Sequence, residues 1–300
     1  MNCIRSIEAH NTAPVKFIVV DNGSSDQKEV ERLDSFFTQS GRSYLRLDDL
    51  STPTSELSYF TFLASKKNDG YARGNNKGLN LAYGDPSIAN ILILNSDILF
   101  TEDLIPALLH VQREKVDCGL VTPLIMSRYG TIDHCCARKA PTNWEVILPF
   151  LLFHRKCFHF LSNLDARQKF LKIHPELIEQ DVFPVDIPSG ACMLIDKNLF
   201  HSVGGFDPNT FLYYEENILF KKLQPTARTS YCTPVVNCTH LGAASTQQLS
   251  SLFLKRCNLE SADYYLRQYG NLTLIQRLSW GLAKIIWTIR LKRAANRKKS

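Results

Sequence analysis

Through its first hundred residues the chain alternates short apolar runs with polar turns and amphipathic stretches. Lys16–Asp21 (KFIVVD), Tyr59–Ser65 and Asn90–Leu94 (NILIL) read as buried strands. Near-continuous Val, Ile, Leu and Phe leaves no polar face, so such strands need cover on both sides. Gln27–Gln39 and Arg73–Tyr83 read as the helices between them. The alternation predicts an α/β domain around a mainly parallel sheet, and ligands of such sheets collect at the carboxyl ends of the strands. Polar clusters stand at those ends: Asp21-Asn22-Gly23-Ser24-Ser25-Asp26, then Asn68-Asp69-Gly70, then Asn95-Ser96-Asp97.

The pattern then changes. Residues 138–187 form an apolar insertion holding Trp144, Ile147, Leu148, Phe150, Leu151, Leu152 and Phe153, which keeps no strand period. Two readings stay open for it: a helix packed on the core, or one dipping toward a membrane. Pro188–Asp196 predicts a glycine turn and a strand, Val203–Asp207 a tight loop, Tyr213–Leu223 a helix that begins with acids, and Pro234–Cys238 a further strand. Leu274–Arg293 carries Leu274, Ile275, Leu278, Leu282, Ile285, Ile286 and Ile289 at helical spacing, beside Trp280 and Trp287. With Arg290, Lys292, Arg293, Arg297, Lys298 and Lys299 closing the chain, this reads as a helix on an anionic membrane surface rather than one docked on the domain. The expected division is a catalytic domain over 1–250 and a helical, basic membrane-surface segment over 251–300.

Charge sharpens that division. The net charge of +6 is a tail property: residues 275–300 hold eight basic side chains and no acid, which leaves −2 for the rest. A nucleic-acid groove across the body is therefore not expected. No run suits a spanning helix or a secretory signal, so the chain is expected in the cytoplasm, peripheral at the inner face of the plasma membrane. The nine cysteines include no C-x-x-C pair and read as reduced, mostly buried thiols. His134-Cys135-Cys136 has the wrong spacing for a zinc site.

The polar clusters suggest chemistry. Asp21, followed by an Asn-Gly-Ser-Ser turn, offers an acceptor and backbone N–H groups that suit a base and ribose, although Asp-Asn-Gly is also a common turn. The run from Asn68 to Gly78 places glycines where a ligand can approach backbone at a helix start. It matches neither the Walker A nor the G-x-G-x-x-G pattern. Asp97, set among apolar strand residues, needs a partner. A divalent cation shared with a diphosphate supplies one, and capping of the next helix is the plainer alternative. Glu215 and Glu216 follow an aromatic run and repel each other, so one of the pair should have a raised pKa suited to a general base. His240 alone would be a structural histidine.

In order, VVDNGSSD, NDGYARGNNKG, LILNSD, SGACMLID, VGGFD with FLYYEEN, and the His240 segment resemble the family-2 inverting glycosyltransferases of the rhamnosyltransferase-like type, over roughly residues 3–246. The resemblance implies a GT-A fold, a nucleotide-sugar donor such as a UDP- or dTDP-sugar, and a divalent metal, Mg or Mn. It implies that Asp21, Ser24, Asn68, Gly70, Gly74 and Asn75 shape the nucleotide site and that Asp97 and His240 stand at the metal. Glu216 becomes the catalytic base and Glu215 the acid beside it. The acceptor implied is a lipid-linked or polysaccharide hydroxyl. Asn95 stands where the family often has its first metal acid, and Ile218 replaces a common second Asp. No Q-x-x-R-W segment occurs, so one sugar per encounter is expected.

Family members open with a further strand and helix, and Met1–Ile7 resembles the second half of that helix. The expectation is an N-terminally truncated form. An inactive remnant and a nucleotidyltransferase are the alternative readings.

Overall fold

The computed structural model describes residues 1–48, 56–133, 135–152, 170–242 and 250–296. His134, Phe153, residues 243–246, Arg297, Lys298 and Lys299 lie outside them.

The described elements run α1 (Asn2–His10), β1 (Phe17–Asn22), α2 (Gln27–Gln39), β2 (Tyr44–Asp48), β3 (Phe60–Ser65), α3 (Gly70–Gly84), β4 (Asn90–Leu94), β5 (Ile98–Phe100), α4 (Leu104–Glu114), β6 (Cys118–Ser127), β7 (Ala137–Arg138) and α5 (Asn143–Leu151). They continue through α6 (Phe170–Ile173), β8 (Phe183–Val185), β9 (Ile187–Pro188), β10 (Cys192–Asp196), α7 (Lys197–Ser202), α8 (Glu215–Leu223), β11 (Thr229–His240), α9 (Ser251–Tyr269) and α10 (Leu274–Asn296).

Two sheets carry the α/β architecture. The first is parallel throughout, in the order β1-β3-β2. The second runs β4-β10-β6-β11-β5, with β8 also on β11. Its longest pairing, β6 with β11, is parallel, while β10, β5 and β8 join antiparallel.

The apolar runs bury as continuous hydrophobicity demands. Along β4, Ile91 and Ile93 enter a cluster with Leu79, Ala82 and Phe206, whereas Leu92 and Leu94 pack on the opposite cluster around Leu104, Leu108 and Val121. The alternation of side chains along a strand thus feeds two helical layers, one on each face. β10 splits likewise, with Met193 and Ile195 on one side and Cys192 and Leu194 on the other.

A separate helical cluster holds a further part of the core. Val146, Ile147 and Phe150 of α5 pack with Ile218, Tyr265, Trp280 and Ala283. Of the two readings open for the apolar insertion, α5 therefore takes the packed one. Its start is fixed by a capping box between Thr142 and Glu145. Trp280 and Trp287, read from sequence as interfacial, instead face inward. The Trp280 indole N–H donates to Asp263 at 2.8 Å and that of Trp287 to the Phe150 carbonyl at 3.0 Å. An indole satisfied inside the fold is a docking residue.

The opposite face of α10 is bare. Leu274, Ile275, Leu278, Leu282, Ile285 and Ile289 are each 45–73% exposed. At 3.6 residues per turn they form one stripe along the helix. No described helix is long and apolar enough to cross a membrane.

Candidate active site

β5 begins directly after Asp97, and the register of β11 on β5 sets His240 opposite Ile98. On its other side β11 shifts register against β6 between Thr233 and Asn237, around Pro234, since proline has no N–H for the ladder. The Leu241 N–H donates to the Asp97 carbonyl at 2.9 Å. The imidazole then lies between two carboxylates, with Nε2 3.3 Å from Asp97 and Nδ1 3.4 Å from Asp133. Bonding to Asp133 and then to Asp97 pushes His240 up to about 9, against the opposing effect of burial.

The acidic pair opens α8. Tyr213 and Tyr214, immediately before it, both have positive φ, 77° and 70°. These left-handed residues turn the chain sharply, so the helix starts at Glu215 rather than at Tyr213 as the sequence predicts. Glu215 is 4% exposed, and its Oε1 is buried without a hydrogen bond. Burial, and then the charge of Glu216, pushes it up to about 8. Glu216 is more open. Its Oε1 accepts the Gly190 N–H at 3.1 Å and its Oε2 lies 3.6 Å from the Arg138 guanidinium.

The two halves meet on one segment. Gly190 holds Glu216, while the carbonyl of the next residue, Ala191, accepts the N–H of Asn95, two positions before Asp97. Asp97 and Glu216 are thereby brought to the same end of the second sheet.

The glycine-rich side is tied in through Tyr71, whose hydroxyl donates to the Gly190 carbonyl at 2.7 Å. At the end of β1 the Ser24 N–H donates to Asp21 at 3.2 Å. Asn22 organises the next loop: its amide donates to the Gly70 carbonyl at 2.9 Å and to Asn68 Oδ1 at 3.2 Å, and its Oδ1 accepts the Asp69 N–H. Gly70, at φ +83°, lies so close to the Phe211 carbonyl that a Cβ would collide with it. Gly74 faces the Asn22 side chain, where a Cβ would come within 2.8 Å of Nδ2. The Asn75 amide donates to the Tyr71 carbonyl at 2.9 Å, inside its own helix.

Asp21, Ser24, Asn68 and Gly70 thus share one loop surface, Gly74 and Asn75 back it from α3, and Asp97, His240, Glu215 and Glu216 stand beyond Tyr71 and Gly190. The sequence reading assigned no role to Arg138, Tyr71, Asn22 or Asp133. Asn22 and Tyr71 lie inside the Asp21 and Asn68–Gly78 motifs and Asp133 beside the His134-Cys135-Cys136 run, so proximity along the chain was a usable signal; Arg138 gains its meaning only through its distant contact with Glu216.

Once His240 gives up its proton, Asp97 and His240 offer an oxygen and a nitrogen side by side, a donor pair suited to manganese. Among the described residues no three His, Cys, Asp or Glu side chains converge on a common point for an ion. The pair therefore fits a cation only as a partial shell, with remaining ligands from outside the chain. The described cysteines are free thiols, and Cys135 alone among them is exposed.

The Glycosyl transferase family 2 profile matches residues 2–134. The low-salt glycan biosynthesis hexosyltransferase Agl10 of Haloferax volcanii is 24% identical over 213 residues, covering 71% of this chain and 54% of that protein. The N-acetylglucosaminyl-diphospho-decaprenol L-rhamnosyltransferase of Mycobacterium tuberculosis is 25% identical over 209 residues, 69% of this chain and 62% of the relative. The chain thus spans little more than half the length of these curated relatives. Among solved structures, that of GalNAc-T7 with UDP, GalNAc and Mn2+ superposes with a TM-score of 0.56 at 12% identity, over 89% of this chain and 45% of the other. The fold is of the GT-A type, and the likeness to family-2 glycosyltransferases is borne out.

Proposed function

We propose that this chain, carrying a family-2 glycosyltransferase domain, moves a single sugar from a UDP- or dTDP-sugar to a hydroxyl of a lipid-linked or polysaccharide acceptor, with inversion. The observation that carries the reading is the shared Gly190–Ala191 segment, which ties Glu216 and the loop of Asp97 to adjacent residues. Asp21 and Ser24, with the Asn68–Gly70 loop, cradle the nucleotide, and Gly74 and Asn75 keep α3 close behind it.

Glu216 removes the proton of the acceptor hydroxyl, which attacks the anomeric carbon from the face opposite the leaving nucleoside diphosphate. Glu215, buried and pushed up to about 8, stays protonated at neutral pH and adds no second negative charge beside the base. Asp97 and His240 would hold a Mg or Mn ion. When bound, that ion supplies positive charge for the departing diphosphate.

The relatives' activities, glycan hexosyl transfer and rhamnosyl transfer to a diphospho-decaprenol-linked sugar, support the choice of acceptor class. The bare apolar stripe of α10, with Arg277, Arg290, Lys292 and Arg293 on the same acid-free helix, supports a peripheral position on an anionic membrane surface at its inner face.

A panel of nucleotide sugars screened by thermal shift tests the reading, followed by transfer assays with Glu216→Gln and Asp97→Ala. One sugar nucleotide should stabilise the protein. Glu216→Gln should keep that binding and lose transfer by roughly 10²–10⁴-fold. No stabilisation by any member of the panel, or full transfer by Glu216→Gln, refutes it.

A further inference from the structure

β7 and β9 form a two-stranded ribbon in which Arg138 pairs with Ile187, and the chain leaves β9 through Ser189 into Gly190. The ribbon therefore delivers both groups that hold Glu216. Gly190 offers its N–H to Oε1 at 3.1 Å, and the Arg138 guanidinium approaches Oε2 at 3.6 Å. Backbone fixes where Arg138 begins, since its carbonyl accepts the Asp186 N–H at 3.2 Å. Its neighbour Lys139 is engaged elsewhere, 3.7 Å from Asp186.

The Arg138 side chain is four-fifths buried, and its Nε is buried without a hydrogen-bond partner. A guanidinium carries five donors in a rigid fork, so a buried one with an unused N–H is costly unless it serves a nearby anion. The other titratable groups around it are Glu215 and Glu216 from α8, Tyr71 from α3, and Asp133 and Cys135 from the turn before β7. Tyr71 is held neutral by burial and by both glutamates. The charge of Arg138 acts on Cys135 and on Glu215 as well as on Glu216.

We propose that Arg138 is a positioning residue for the reaction, gripping one oxygen of Glu216 while the Gly190 N–H grips the other, so that the carboxylate is presented to the acceptor in one orientation. The inference rests on the reading of Glu216 as the base. The guanidinium sets a fixed positive charge beside the oxygen that is to receive the proton. The loose 3.6 Å approach lets the acceptor hydroxyl share that oxygen without displacing a bidentate pair.

The test compares wild type with Arg138→Lys and Arg138→Met, after circular dichroism and thermal melts establish that each variant is folded. Arg138→Met should lower kcat at least ~10-fold, within the range a general base contributes. The donor KM should stay within about two-fold of wild type, so that the loss falls on kcat. Added guanidinium ion should restore part of the Arg138→Met rate, and Arg138→Lys should fall between the two. An unchanged kcat overturns the proposal, and so does a raised donor KM with kcat intact, which would make Arg138 a donor ligand. Should the wild-type chain transfer no sugar, the proposed function fails separately. The Glu216 carboxyl carbon, followed by NMR and assigned with Glu216→Gln, then decides: its resonance moves in Arg138→Met if Arg138 grips it, and an unmoved resonance overturns the grip.

Discussion

The Tyr71 hydroxyl donates to the carbonyl of Gly190, 119 positions away, while the N–H of the same glycine holds Glu216. One residue thus couples the glycine-rich helix to the acid pair through the two peptides that flank it. A methyl group at Gly190 would meet the Tyr71 hydroxyl at 2.6 Å and Glu216 Oε1 at 2.9 Å, both at movable side-chain ends. Gly190→Ala should therefore cost little stability, on the order of 1 kcal/mol by urea denaturation, yet displace the carboxylate. Misplaced catalytic groups lose on the order of 10²-fold in rate. The expected result is a low kcat with a donor KM near wild type.

Glu215 gives a pH signature. Its folded value, raised to about 8, exceeds the ordinary 4.5, so the native state keeps a proton that the unfolded chain releases. Its contribution is fully present below pH ~4.5 and is lost as pH rises toward 8. Glu215→Gln, which cannot ionise, should match wild-type stability near pH 4.5 and exceed it near pH 8 by an amount on the order of a few kcal/mol. Urea midpoints across that window measure the difference. Parallel curves for the two proteins would show that Glu215 ionises as readily folded as unfolded.

Asp207 joins the loop before α8 to α9. Its Oδ2 accepts the hydroxyls of Tyr264 at 2.9 Å and Tyr269 at 2.5 Å, and its Oδ1 accepts the Asn209 N–H at 2.9 Å. Burial works against the charge, but the bonds from Tyr269, Asn209 and Tyr264 outweigh it and lower the pKa. Asp207→Ala should lose about 1.5–3 kcal/mol at neutral pH, and Tyr269→Phe less. That stability is present above the ordinary carboxylate range and fades as pH falls through the lowered value, so the gap between Asp207→Ala and wild type should narrow in acid. Chemical denaturation at two pH values is sufficient.

The α10 stripe predicts lipid binding with a defined face. Leu278→Ser combined with Ile285→Ser should lower the partition coefficient onto phosphatidylserine vesicles, read by sedimentation, by on the order of 100-fold or more, since each buried aliphatic side chain contributes about 1.5–3 kcal/mol. Neutral phosphatidylcholine vesicles and high salt should weaken wild-type binding, because the basic end of the helix adds an electrostatic part. Self-association of the wild-type chain, lost in the double variant without any vesicle binding, would assign the stripe to a second copy.

What the sequence disclosed follows a physical line. The strand reading at Asn90–Leu94 and the helix reading at Gln27–Gln39 coincide with the structure, because apolar continuity and the Asp26 cap are local properties. The helix read as starting at Arg73 begins three residues earlier, at Gly70, where a positive-φ glycine packed on Phe211 supplies the turn. β2 escaped notice: a five-residue strand, mostly half-buried or exposed, has little hydrophobic pattern to read. Asp97 and Glu216 stand out by sequence company alone. Arg138 does not, since its meaning arises only when the β7–β9 ribbon carries it to an acid 78 positions further on.

Tyr213 and Tyr214 remain the costliest stretch of backbone around the acids. Two successive side-chain-bearing residues in the left-handed region each sacrifice about 1–2 kcal/mol. Glycine at Tyr213 would relax that tension and at the same time let the start of α8 wander. The chain has traded robustness for aim: a sturdier version of this corner would be a less accurate one, and thermostability selections acting here should return better-folded, slower proteins.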